Sequence, residues 1–347
     1  MNASIQEPVA MQPRAAAAGA YGFGSKFKLL LRREFWENKG GFLWAPIVTG
    51  IIACLFAMIA MIGASIVLNK ARADGDFHAG SLQWDGTGPH PFGAAGDALL
   101  LGGIGMALLV MVFVVFFYAL GSLYDERRDR SVLFWKSLPV SDIEVVLSKA
   151  AWALCLAPIM ALLIGICIGI VIWVMSALAL TFNGIGGASA FFTDSHPLHV
   201  TGQVVSVLPL YALWALPSIG WLMLCSAWAR RFPFLWAVLV PLLGCAMVSM
   251  SGGIFSAISG ADFPHGRIWY VVVLRGLASV IPGTWYANEG VDAEHIITVH
   301  EPSDMPTQFD LMSSWSAMGT LDLWLGVAAG IAMITLAIRL RRWRDEG

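Results

Sequence analysis

The chain is 347 residues long, 58% hydrophobic and only 13% charged, with a formal net charge of −2 and a mean hydropathy of +0.72. Soluble domains carry about 25% charged residues, so this composition cannot cover a water-exposed globule and a soluble protein is excluded. The near-zero net charge supplies no basic stripe for nucleic acid.

Residues 1–25 are rich in Ala, Pro, Gly and Gln and lack an apolar stretch of signal-peptide length. They are expected to form a flexible tail, with the folded domain running from 26 to 347. Over residues 26–39, Phe27, Leu30, Leu31 and Phe35 fall at i, i+3, i+4 and i+8, while Lys28, Arg32 and Lys39 lie off that stripe. This is the pattern of an amphipathic helix in a membrane interface, with Leu29 and Trp36 departing from it. Gly40 and Gly41 then turn the chain.

Six apolar runs are long enough to span a bilayer: 42–68, 98–120, 151–180, 204–228, 234–258 and 323–338. The last is short, and Arg339 can snorkel to extend it. Pro158, Pro209, Pro217 and Pro241 lie inside these runs and are expected to kink their helices. None of the runs holds Asp, Glu, Lys, Arg or His, which argues against proton-coupled transport and most intramembrane enzymes. The motifs HExxH and GxxxxGK[ST] are missing. Ser249 and Ser251 beside Gly252 fit small-residue packing better than a hydrolase, because no run supplies a histidine base. Each of the five cysteines lies in an apolar run and is expected to behave as a buried hydrophobe.

The loop over residues 121–149 reads GSLYDERRDRSVLFWKSLPVSDIEVVLSK. Its dense charges extend the second helix beyond the membrane, and Leu138-Pro139 breaks it. Ser141 and Glu144 match the capping box S-x-x-E, with Val140 and Val145 as a hydrophobic staple, so the third helix is expected to start at Ser141. Phe134 and Trp135, beside Arg127, Arg128, Arg130 and Lys136, form an aromatic knob with a basic rim. Such a knob can rest in lipid headgroups or dock a soluble partner; the residues alone leave both open.

Seventeen of the 21 Lys and Arg fall on the side of the termini and of this loop. The positive-inside rule therefore places both termini in the cytoplasm. Trp44, Trp152, Trp228, Trp236 and Trp343 fall where a cytoplasmic aromatic belt belongs. All seven histidines lie on the outer side. His196 and His199 beside Asp194 are the nearest approach to a metal site, but without CxxC or a helical HxxxH the reading is no metal. The longest outer loop, 259–322, contains an apolar run at 268–281 that is too short to span and is interrupted by Arg275 and Gly276. A re-entrant or interfacial helix is expected there.

Arg33-Glu34-Phe35 on the elbow helix, six spans with both ends inside, Glu126-Arg127-Arg128, Leu138-Pro139-Val140-Ser141 and Leu147-Ser148-Lys149 together resemble the exporter-type (type-2) permeases of ATP-binding-cassette transporters, over about residues 26–344. The resemblance implies an all-α membrane protein with an N-terminal elbow helix (Phe27, Leu30, Leu31, Phe35) in the cytoplasmic (inner) membrane. It implies a coupling helix near 131–138 that docks into an ATPase subunit, with Arg127, Arg128, Arg130, Phe134, Trp135, Lys136 and Leu138 at the contact. ATP and Mg would be bound by that partner, with no cofactor and no catalytic residue in this chain. A second permease, identical or paralogous, would complete the path, in contact with membrane lipid. Gly165 and Gly169, with Gly102, Gly103 and Gly105, permit close helix approach and are candidates for that subunit interface. Two other readings are a membrane scaffold or sensor that recruits a cytoplasmic protein without transport, and a lipid-modifying enzyme using the outer His and Asp residues.

Overall fold

A computed structural model describes residues 23–74, 91–129, 140–185, 189–260, 262–288 and 311–344. Helices dominate these residues, and no strand occurs among them. Six helical stretches are long and apolar enough to cross a membrane: Gly40–Ala73, Phe92–Arg128, Asp142–Phe182, Phe191–Trp228, Leu235–Ser259 and Leu321–Trp343, the first to sixth spans below. Five are longer than the apolar run expected for them, because a helical backbone continues through polar flanks, and the fifth keeps its expected length, shifted by one residue. Those five therefore carry charges at their ends, and the fifth carries none. A separate helix, α1 (Phe23–Glu37), precedes them.

Small residues set the central packing. The second and third spans run antiparallel, with Gly103 against Gly169 and Gly165 against Ile104 and Ala107. A Cβ on Gly103 would lie 2.5 Å from Gly169 Cα, and one on Gly169 would lie 2.6 Å from the Leu100 carbonyl oxygen. These glycines, offered by the sequence to a second subunit, are consumed inside the chain. The fourth and sixth spans run parallel and meet where Gly220 approaches the backbone of Gly330. Trp214, Leu210, Ile219, Leu222 and Leu323 are fully buried around this contact. The first and fifth spans lie at the periphery and leave large side chains such as Phe56, Ile59, Met247 and Phe255 exposed. Cys225 and Cys245 are buried as expected, but Cys155 and Cys167 face outward.

Three spans share one device. The π-turns Gly40–Trp44, Trp152–Leu156 and Leu235–Leu239 are each followed, one residue later, by Pro46, Pro158 and Pro241. Proline has no N–H and its ring crowds the carbonyl four residues back; the wider turn accommodates both. Two of the predicted kinks thus take the form of π-turns, while Pro209 and Pro217 lie within an uninterrupted helix.

At the end remote from α1, the expected re-entrant helix is shorter than its apolar run. Helix runs through His265–Trp269 and the π-turn Tyr270–Arg275. Turns follow, including Gly283 at φ +88°, and lead to the 3-10 turn Thr284–Ala287. The charge that interrupts the run also anchors it. Arg275 is buried, lies 3.9 Å above the Trp214 ring, donates to the Trp214 carbonyl at 2.5 Å and pairs with Asp322 at 3.4 Å. Burial pulls its pKa down, and the Asp322 carboxylate opposes that shift.

Candidate functional site

The residues that stand out lie where α1 meets the ends of the second, third and sixth spans. Glu34 occupies the i+7 position of the α1 stripe, and its side chain is entirely buried. A carboxylate placed there without partners would cost several kcal/mol, on the order of the desolvation penalty of one ion. Its partners are present. Lys149 Nζ donates to Glu34 Oε1 at 2.8 Å, and the Tyr118 hydroxyl donates to Oε2 at 2.8 Å. Lys149 also lies 3.1 Å from Glu126, whose other oxygen accepts from Arg341 Nη1 at 2.7 Å. Arg341 Nε continues the chain to Asp142 at 3.0 Å. Arg33 adds a longer contact to Glu126 at 3.4 Å and a close one to Glu37 at 2.6 Å.

Aromatic packing fixes α1 over this cluster. Trp152 stacks between Phe35 and Phe42, with ring centroids 5.7 and 4.9 Å away, and its Nε1–H donates to the Leu31 carbonyl at 2.8 Å. Trp152 therefore leaves the aromatic belt assigned to it, whereas Trp44, Trp228, Trp236 and Trp343 remain exposed. Leu30 is buried, and Phe27, Leu31 and Phe35 are half-buried, while Leu29 and Trp36, off the stripe, are exposed.

The capping box forms at the start of the third span. Glu144 N–H donates to Ser141 Oγ at 3.2 Å, and Ser141 N–H donates to Glu144 Oε2 at 2.8 Å. This orients the helix that carries Asp142 and Lys149 into the cluster. Ser141→Ala is expected to cost about 0.5–2 kcal/mol, read as a lower thermal midpoint in detergent with the helical signal retained.

Of the proposed docking residues, Arg127 is turned inward. It donates to the carbonyls of Ser226 at 2.5 Å and Ala229 at 3.0 Å, closing the end of the fourth span. Ser226 Oγ in turn accepts from the backbone N–H groups of Leu123 and Tyr124. Arg128 is exposed beside Asp125 and Asp129. Arg130, Phe134, Trp135, Lys136 and Leu138 lie outside the described residues, as does nearly all of the tail. Asp194, His196 and His199 are exposed. No group of three His, Cys, Asp or Glu positioned to hold a metal occurs among the described residues.

Sequence reasoning missed Glu34, Tyr118, Asp142 and Arg341 as members of one site. The available signal was Glu34 itself, a carboxylate in the middle of an apolar stripe. The fold and this cluster together define a six-span helical membrane protein whose basic end is tied by internal ion pairs. No protein-family model, no curated protein and no solved structure matches the chain.

Proposed function

We propose that this chain is the membrane-spanning permease subunit of an ATP-driven exporter, with ATP and Mg bound by a separate ATPase subunit. The observation that carries the reading is the buried cluster Glu34–Lys149–Glu126–Arg341–Asp142. Glu126 precedes the loop 130–139, and Asp142 and Lys149 follow it, so both flanks of the loop are tied to each other, to α1 and to the sixth span. A push on the loop is then handed to the spans instead of being absorbed by a slack connection. Arg127 extends the same tie to the fourth span. This is the mechanical arrangement a coupling element needs.

In this reading the basic end is cytoplasmic, α1 is the elbow helix in the inner membrane interface, and a second permease completes the path. Phe134 and Trp135 anchor the loop in the ATPase. Isolating the native complex tests this directly. The ATPase should co-purify, and Phe134→Ala with Trp135→Ala should weaken its association by at least about 30-fold, the loss of one 2 kcal/mol hot spot. If the ATPase still binds and turns over normally in that double variant, the docking assignment fails.

A further inference from the structure

Several cations at the span ends are engaged. Lys149 and Arg341 lie in the buried cluster, Arg128 stands between Asp125 and Asp129, and Arg275 of the hairpin at residues 265–287 is paired with Asp322. Arg230 and Arg231, between the fourth and fifth spans, are exposed and make no hydrogen bond or ion pair with any described residue. The usual local use for them is taken. A basic side chain near a helix end commonly bonds its last carbonyls, but those of Ser226 and Ala229 already accept from Arg127. The neighbouring sequence supplies no carboxylate either, because no Asp or Glu occurs between Asp194 and Asp262. Two like charges therefore stand side by side and call for an anion from outside the chain.

The backbone fixes where those charges sit. The fourth span ends at Trp228 and the fifth begins at Leu235, and only residues 229–232 between them lie outside helix. Two extended residues up and two down reach at most about 7 Å, while the headgroup layer on each side of the hydrocarbon is about 5–7 Å thick. The Trp228 and Trp236 rings meet edge to face 4.7 Å apart, and Trp221 Nε1–H donates to the Ala237 carbonyl, so the two helix ends stay together. Exposed indoles at span ends mark the membrane–water interface. The fifth helix opens at Pro233, which disfavours right-handed helical angles for the residue before it. Phe232 turns the chain at φ +50°, the one non-glycine residue at positive φ among the described residues. The turn leaves the Phe232 ring 72% exposed and Phe234 50% exposed, next in sequence to the two arginines.

The geometry points to a binding site for an anionic phospholipid on this loop, with the Arg230 and Arg231 guanidiniums on its phosphate and the Phe232 and Phe234 rings against its apolar part. Guanidinium forks match phosphate oxygens in pairs. An inorganic phosphate offers nothing to the rings, and the ammonium of a zwitterionic lipid would meet two cations with no carboxylate beside them. A soluble protein is out of reach of a loop that ends within the headgroup layer. The loop 130–139 differs in this respect, because the helix before it runs on to Arg128. The assignment does not use the exporter reading.

The test uses the purified full chain in phosphatidylcholine nanodiscs, in two arms. Each contains a low dose of a lipid with a diazirine on one acyl chain, phosphatidylglycerol in one arm and phosphatidylcholine in the other. After irradiation, the phosphatidylglycerol probe should label residues 228–236 about 25-fold more than the phosphatidylcholine probe, roughly fivefold for each cation. Arg230→Gln with Arg231→Gln should erase that preference. Lys28→Gln with Arg32→Gln removes the same charge from exposed positions of α1, and should change labelling of 228–236 less than twofold. Phe56 and Ile59 on the exposed first-span face should label alike throughout, which reports intact spans. Equal labelling by the two probes in the wild type, a preference that survives in the Arg230→Gln, Arg231→Gln variant, or an equal loss in the α1 variant would each overturn the site. Residues 228–236 unlabelled by both probes would put the loop beyond the headgroups, within reach of a soluble partner, and would overturn it as well.

Discussion

Lys149→Met is expected to destabilise the protein by about 3–5 kcal/mol, the cost of breaking a buried ion pair by removing one partner. Lys149 stands between Glu34 at 2.8 Å and Glu126 at 3.1 Å, and its side chain is 4% exposed. Without it two carboxylates share a desolvated site. Glu126 retains Arg341 at 2.7 Å and Arg33 at 3.4 Å, but Glu34 retains only the Tyr118 hydroxyl among the described residues. The melting midpoint in mild detergent should fall by several degrees, because the shift, about 2–4 °C per kcal/mol at 150–250 residues, is smaller for a chain of 347. Adding Glu34→Gln removes the stranded charge and should recover part of the loss. Additive losses in that cycle would mean the two residues are not coupled. A Lys149→Met protein melting with the wild type would show that the cluster contributes nothing to stability.

Gly169→Val should be as damaging, for a reason with no electrostatics in it. The new Cβ would sit 2.6 Å from the Leu100 carbonyl oxygen and 3.0 Å from Leu100 Cδ1. A backbone atom cannot rotate away as a side-chain tip can, so the second and third spans must separate. The expected cost is about 3 kcal/mol, the upper part of the usual range for overpacking, together with a larger share of aggregated protein on size exclusion. Gly105→Ala provides the contrast. It gains more helix propensity than a valine would, its Cβ meets open space, and it should be neutral or slightly stabilising. If both variants behave alike, close approach of the two backbones does not explain the glycine at 169.

The spans were legible because crossing hydrocarbon demands long uncharged runs, whereas a soluble core is built from shorter, periodically interrupted ones. The start of the third span was legible because a capping box needs its two residues at fixed spacing. Ser141 and Glu144 make both predicted hydrogen bonds. The charge cluster was not legible as a unit. Arg341 and Lys149 count toward orientation wherever their side chains point, so a tally by side cannot separate a solvated cation from one paired in the interior. Only Glu34, set on the apolar face of α1, carried a local sign of burial. Trp152 was misplaced for a similar reason: an indole at a span end suits the interface, and only the fold puts Phe35 and Phe42 against its faces. The hairpin was half legible. Its apolar run predicted withdrawal from water, but Arg275 looked like an interruption, whereas its ring contact with Trp214 and its bond to that residue's carbonyl hold the segment in place.

The parallel pairing of the fourth and sixth spans bears on how the chain is made. Two helices that run in the same direction need a third passage between them, and here the fifth span makes that passage and stays at the edge. The sixth span is the last of the six to leave the ribosome, yet it brings Gly330 to Gly220 and Arg341 to Glu126. During synthesis Asp142 must wait for that cation, and Glu126 for the second of its close ones. Lys149 and Arg33 already stand beside Glu126, so the nascent protein lacks one cation of the cluster until the sixth span arrives, and a premature stop before Leu321 forfeits the closure of the basic end along with one helix.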